Sequence, residues 1–350
     1  MRIRRPLAAA AILVVVSVPV FATGAMAGGG PATRAVREAA QRQATLAYWT
    51  PARLRAAKPL DVVVDTSANG VRIDPRAKPG GTGGNKPGGG GSGNTGGASW
   101  PNGKGAVYQS VGKVVFHNAG GDWICSGTAL TNNRSGYSLI LTAGHCVYDM
   151  DRGFGALSGF DTSWMFIPQF DSSPTYTCAN TIYGCWTATA LVVNGGFARE
   201  HGFTTAGSHF DWGFAIVGPG GKGNSQLEAT VPTFGLSATA ISSGTVDAFG
   251  YPAAGKYHGS DLTYCQNPVG FDVFTSNTNY RLGCDMTGGS SGGPWFSDFD
   301  GTGNAGTIRS LNSYGYSGIT AMYGPIFNTS TAATFNVANN EATLTNAIVN

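Results

Sequence analysis

From residue 101 to its end the chain offers almost nothing that could build a long helix. Apolar, β-branched and aromatic runs of four to eight residues recur at 111–116, 123–130, 137–142, 214–217, 245–249, 306–311 and 319–323. Each is cut off by Gly, Asn, Ser or Pro, and Asn132-Asn133-Arg134-Ser135-Gly136 reads as a hairpin loop between the second and third. Many short strands with Gly-rich turns predict an all-β sandwich or barrel. Within this region only 341–349 has helical character, with Asn340 as its cap. The 54 glycines follow no three-residue period, which rules out collagen, and 12% charged residues are too few for a long coiled coil.

The first hundred residues are different material. Arg2, Arg4 and Arg5 precede an apolar stretch at 7–20, and Ala25-Met26-Ala27 is a small-x-small cleavage site. Residues 1–27 therefore read as a secretory signal; the apolar stretch, broken by Pro19, is short for a membrane span. In 28–78, Val36, Ala40 and Leu46 fall at helical spacing after Thr33. This part reads as a pro-segment, with a disordered extension as the alternative. The block 80–97 holds eleven glycines in 18 residues, so 79–100 reads as a flexible linker. That leaves 101–350 as the folded domain.

Charge divides along the same line. The whole chain is at +3, but only nine of the 22 Lys/Arg and 15 of the 19 Asp/Glu lie in 101–350, a net of −6. An acidic domain without a basic cluster argues against a nucleic-acid partner. No second long apolar run follows the signal, so the exported domain is expected to be secreted and extracellular, with no membrane contact. All six cysteines fall between 125 and 284, and an even count in an exported chain argues for disulfides. Six cysteines allow fifteen pairings. Joining nearest neighbours gives Cys125–Cys146, Cys178–Cys185 and Cys265–Cys284. No Cys-x-x-Cys pair is present for zinc. The acidic turn Asp298-Phe299-Asp300-Gly301 has incomplete ligand spacing for calcium. No metal or cofactor is therefore expected.

Two segments carry chemistry: Leu141-Thr142-Ala143-Gly144-His145-Cys146 and Thr287-Gly288-Gly289-Ser290-Ser291-Gly292-Gly293-Pro294. A serine hydroxyl becomes a nucleophile when an imidazole takes its proton, and the imidazole needs a carboxylate to fix its tautomer. The oxyanion that forms needs backbone N–H donors, here those of Gly289 and Ser291, in a turn that glycines permit. Gly289-x-Ser291-x-Gly293 also fits the nucleophile elbow of α/β-hydrolases, but their histidine follows the serine and the last histidine here is His258. A subtilisin order would use Asp122 before His145, against the β-rich context. The remaining order is His, Asp, Ser. Asp149, Asp151, Asp161, Asp171, Asp211, Asp247, Asp261, Asp272 and Asp285 lie between the two segments. Asp211 is preferred, because it immediately precedes the apolar run Phe214-Ala215-Ile216-Val217. His201 and His209 read as surface or structural, while His117 and His258 have no partner visible in sequence.

Thr142-Ala143-Gly144-His145-Cys146 and Gly289-Ser290-Ser291-Gly292-Gly293-Pro294 together resemble the trypsin/chymotrypsin-like serine peptidases. Cys125-Ser126-Gly127-Thr128-Ala129-Leu130 is similar to the strand before that family's histidine loop. Gly250-Tyr251-Pro252 and Thr287-Gly288-Gly289-Ser290-Ser291 resemble the glutamyl endopeptidase branch in particular. The resemblance covers about 105–330. It implies two Greek-key six-stranded β-barrels, about 105–220 and 221–335, with His145 and Asp211 on the first and Ser291 on the second. It also implies a Cys125–Cys146 disulfide beside the site. Two departures and one agreement matter. Ser290 stands where many animal members carry an Asp that pairs with a new N-terminus, so activation here does not use that ion pair. No histidine follows Ser291, where glutamyl-specific members place one. Asp285 lies where trypsin-like members hold the pocket-floor acid, which would favour Lys or Arg, with a turn or cap residue as the alternative reading; Asn312, Ser313 and Tyr314 would lie along the pocket strand.

The expected function is a secreted serine endopeptidase, a monomer acting on proteins or peptides without a cofactor. The alternative is a non-catalytic binding or adhesion module on the same fold, since fold alone does not guarantee activity.

Overall fold

The computed structural model describes residues 31–65, 72–73, 94–101, 103–170 and 177–350. The signal at 1–27 and most of the glycine block lie outside the described residues. The chain divides into Met1–Arg37 and Glu38–Asn350. The first contributes the start of helix α1 (Pro31–Tyr48), and every described strand belongs to the second.

The stretch expected as pro-segment or disordered extension is folded where it is described. Helix α2 (Pro51–Ala56) starts with Pro51 at its first position and Thr50 as cap, accepting from the Arg53 amide. Strands β1 (Lys58–Pro59), β2 (Val63–Asp65) and β3 (Arg72–Ile73) follow. Trp49, Leu54, Ala57, Leu60, Val62 and Val64 are buried. Of the stretch 79–100 expected as a linker, residues 79–93 lie outside the described residues, and β4 (Asn94–Ser99) pairs antiparallel with the later strand β12 (Thr263–Phe271). An edge strand needs only backbone partners, and Gly97 suits this one: a Cβ there would lie 2.3 Å from the Tyr257 hydroxyl.

A short helix α3 (Gly105–Ser110) leads into β5 (Val111–Asn118), β6 (Gly121–Leu130), β7 (Ser138–Thr142), β8 (Thr162–Pro168), β9 (Trp186–Asn194), the short helices α4 (Gly195–Ala198) and α5 (Thr205–Ser208), and β10 (Gly213–Val217). Their pairing runs β6-β5-β8-β9-β10-β7 and closes through β7 onto β6, so the six strands form a closed barrel. β7 and β10 are buried along their whole length. Sequence-adjacent β7 and β8 are not paired, which makes the connection a Greek key.

The second barrel comprises β11 (Thr245–Gly250), β12 (Thr263–Phe271), β13 (Asn279–Leu282), β14 (Pro294–Ser297), β15 (Thr307–Leu311) and, after the short strand β16 (Gly315–Tyr316), β17 (Met322–Pro325). The path β15-β14-β11-β12-β13-β17 repeats the cyclic order of the first barrel but stays open between β15 and β17. There the Ser310 hydroxyl donates to the Pro325 carbonyl at 2.8 Å. The fold is thus a closed barrel and a half-barrel, mostly β.

A short helix near the C-terminus is present, but not at 341–349. Helix α6 spans Thr329–Asn339 and opens with a capping box from Asn328 and Thr331. The stretch expected to be helical instead ends in β18 (Ala347–Val349), parallel to β9. β8 pairs only with the start of β9, at Trp186 and Thr187, so the far end offers an open edge that β18 fills. The Thr- and Asn-rich stretch 329–339 lacks the apolar periodicity that marks a helix in sequence.

Candidate active site

β7 delivers His145. The strand ends at Thr142, and a single tight turn, Gly144–Cys146, presents the imidazole with 1% of the residue exposed. The Cys125–Cys146 disulfide ties this turn to β6. Cys178–Cys185 and Cys265–Cys284 are the other two bridges, and no described cysteine is free.

Asp211 enters at the foot of β10, after α5 and its Thr204 cap. Its carboxylate is fully buried and takes three donors. The His145 amide lies 2.9 Å from Oδ1, His145 Nδ1 is 2.8 Å from Oδ2, and the Ser313 hydroxyl donates to Oδ2 at 2.5 Å. A buried carboxylate with its acceptors filled in this way holds the imidazole with Nδ1 protonated and Nε2 as the free base.

The second barrel supplies Ser291. Gly289 has φ +96° and Gly292 φ +82°, conformations that glycine adopts without strain. A Cβ on Gly292 would lie 2.2 Å from Thr142 Oγ1 and 2.5 Å from the Ser126 carbonyl, so the loop can touch the first barrel only with glycine there. Ser126 stitches the barrels together. Its amide donates to the Ser291 carbonyl at 2.7 Å, its hydroxyl donates to the Gly289 carbonyl at 2.8 Å, and that hydroxyl accepts from the Tyr251 amide at 2.9 Å. Among the described residues the Gly289 and Ser291 amides have no acceptor. Ser290 closes its own turn, its hydroxyl donating to the Thr287 carbonyl at 2.7 Å.

The expected pocket residues separate. Asp285 is engaged elsewhere, accepting from Lys256 Nζ at 2.7 Å, the Tyr257 hydroxyl at 2.5 Å and the Gly97 amide at 2.7 Å. Burial alone would raise its pKa, but these three donors hold it below the usual carboxylate value. Asn312 supports the nucleophile loop from behind: its Nδ2 donates to the carbonyls of Phe249 (2.8 Å) and Ser290 (3.0 Å), and its Oδ1 accepts from Trp295. Ser313 turns to Asp211. The Tyr314 hydroxyl donates to Asp272 at 2.5 Å and accepts from Asn279. Burial, with the Asp272 carboxylate second, pushes the Tyr314 pKa up. His117 pairs with Asp122 at 2.8 Å, His201 stacks on Phe154, and His209 meets Thr278. Asp300 accepts from the amides of Thr302, Gly303 and Asn304 within its own turn.

Ser126 figured in sequence only as part of a strand motif, Asp272 only as one of nine carboxylates and Asn279 not at all, because single polar residues in strands and loops carry no local signature of their partners. More consequential is residue 60. The Ser291 hydroxyl donates to the Leu60 carbonyl at 3.5 Å, while His145 Nε2 is buried without a partner among the described residues.

No family model and no curated protein matches the chain. Solved structures do. Protease Anisep from Arthrobacter nicotinovorans is 30% identical with a TM-score of 0.56, covering 67% of this chain and 98% of its own. The thermostable serine protease AL20 from an extremophilic microorganism is 31% identical with a TM-score of 0.55 and the same coverage. A Glu endopeptidase in complex with MPD, at 19% identity and a TM-score of 0.50, shares the fold over 69% of this chain and 96% of its own. With two barrels, a histidine turn on one, a glycine-framed serine on the other and two such relatives, this chain belongs to the trypsin/chymotrypsin-like serine peptidase family.

Proposed function

We propose that this chain is a secreted serine endopeptidase hydrolysing peptide bonds through an acyl-enzyme. The observation that carries the reading is the buried relay from Ser313 through Asp211 to His145, with Ser291 on the facing barrel. His145 Nε2 takes the Ser291 proton as Oγ attacks the carbonyl carbon, and Asp211 steadies the imidazolium. The Gly289 and Ser291 amides receive the oxyanion. His145 then passes its proton to the leaving amine, and water repeats the sequence on the ester. Three disulfides support export to an oxidising compartment. No described helix is long and apolar enough to cross a membrane.

A fluorophosphonate probe should label the chain, and Ser291→Ala should abolish labelling; equal labelling of both would refute the assignment. Incubation with a mixed peptide library, read by mass spectrometry, gives the cleavage preference. Because Asp285 is held by Lys256 and Tyr257, Asp285→Asn should leave that preference unchanged; loss of cleavage after Lys or Arg would return Asp285 to the pocket.

A further inference from the structure

Residues 58–65 run through the cleft between the two barrels and touch both walls. On the first barrel, Lys58 and Pro59 lie parallel to Trp123 and Ile124 of β6, and the Leu60 amide donates to the Ile124 carbonyl at 3.1 Å. On the second, Val63 and Val64 lie parallel to Gly315 and Tyr316. The Gly315 amide donates to Val62 and the Ser317 amide to Val64, both at 2.9 Å. Val62 and Val64 are 3% and 4% exposed, and Val64 sits beside a small cavity walled by Phe203, Tyr314 and Tyr316. Between the two ladders, Asp61 packs so closely on Gly288 that a Cβ there would lie 2.5 Å from the Asp61 Cβ. The preceding residues anchor the strand. Trp49 Nε1 donates to the Ser163 carbonyl at 2.5 Å, and Tyr48 and Arg53 both donate to Asp122, at 2.6 and 3.0 Å.

The contact at Ser291 is the reverse of a productive one. Attack requires the carbonyl carbon to face Oγ while its oxygen points at the Gly289 and Ser291 amides. Here the Leu60 oxygen is the atom that lies against Oγ, as a hydrogen-bond acceptor at 3.5 Å. His145 Nε2, which should receive the hydroxyl proton, has no hydrogen-bond partner among the described residues. The two ladders hold Leu60 in this register.

Resting on the peptidase reading above, we propose that residues 58–65 are an inhibitory strand of the chain itself. The strand fills the substrate cleft, diverts the Ser291 hydroxyl from His145 and survives uncut. Activity then requires release of this strand, and no ion pair to Ser290.

The test compares the full chain with its Val62→Asp/Val64→Asp variant, which places two carboxylates in the dry contact and leaves the barrels intact. Fluorophosphonate labelling should be at least tenfold faster in the variant. Hydrogen exchange at the Gly315 and Ser317 amides should rise in parallel. A synthetic peptide of residues 49–65 should slow labelling of the variant again and be recovered intact. Equal labelling rates despite faster amide exchange would overturn the proposal, as would cleavage of the peptide between residues 58 and 65. Amide release with no labelling of either form would sink the peptidase reading itself, and the inhibitory role with it.

Discussion

At the scale of single residues, the site depends on polar side chains with filled hydrogen bonds. Ser313 gives Asp211 its third donor in a fully buried setting. A hydrogen bond to a charged group contributes about 1.5–3 kcal/mol. If His145 and Asp211 act as proposed, Ser313→Ala should lower kcat roughly ten- to a hundredfold with little change in KM. Steady-state kinetics on any cleaved peptide checks this. Asp61 is the opposite case. Burial raises its pKa, with the Gly288 amide and the nearby His145 acting against that shift. A group that prefers its proton when docked binds best below its free pKa, about 4. Docking should therefore weaken as pH rises from there through the raised value. Fluorescence anisotropy of the 49–65 peptide across this range should show that loss, and an Asp61→Asn peptide should show a flatter profile.

At the scale of elements, the histidine turn is set by what lies at its two ends. Thr142 closes β7, and Cys146 is bonded to Cys125 on β6. A bridge closing a loop of this length is worth about 3 kcal/mol. The Cys125→Ala/Cys146→Ala variant should melt roughly 6–12 °C lower. The loss of activity should exceed what unfolding explains, because the bridge adjoins His145. Calorimetry and activity at a temperature well below the melt separate the two effects. The motif around His145 was legible from sequence because glycine, histidine and cysteine stand in one short run after an apolar strand. Helix α6 and strand β18 were not legible: pairing along β9 decides that Ala347–Val349 is extended, and the capping box at Asn328 starts a helix whose faces carry no apolar period.

At the scale of the molecule, the barrels meet through the loop that holds Ser291, and Ser126 is the shared fastening. Removing its hydroxyl leaves the Gly289 carbonyl and the Tyr251 amide unpaired in a dry interface. Such groups cost about 1–3 kcal/mol each. The expected result for Ser126→Ala is a lower melting temperature with a calorimetric enthalpy above the van't Hoff value, as the barrels begin to unfold separately. A melt that stays two-state at the original temperature would assign Ser126 no such role. Charge is likewise a property of the whole. The basic excess lies before residue 101, and residues 49–64 of that region pack on a domain at −6.

The sequence by itself determined the all-β character, the order of His145, Asp211 and Ser291, and the glycines at 289 and 292 that a tight loop requires. These are local properties: strand-forming runs, turn residues and short motifs act over a few neighbours. Only the tertiary structure decided that Asp285 faces Lys256 and Tyr257, that Asn312 supports the nucleophile loop, and that Leu60 lies against Ser291, 231 residues away in sequence. Such pairings depend on how two barrels and a folded N-terminal segment close on one another, and no stretch of neighbouring residues contains that information.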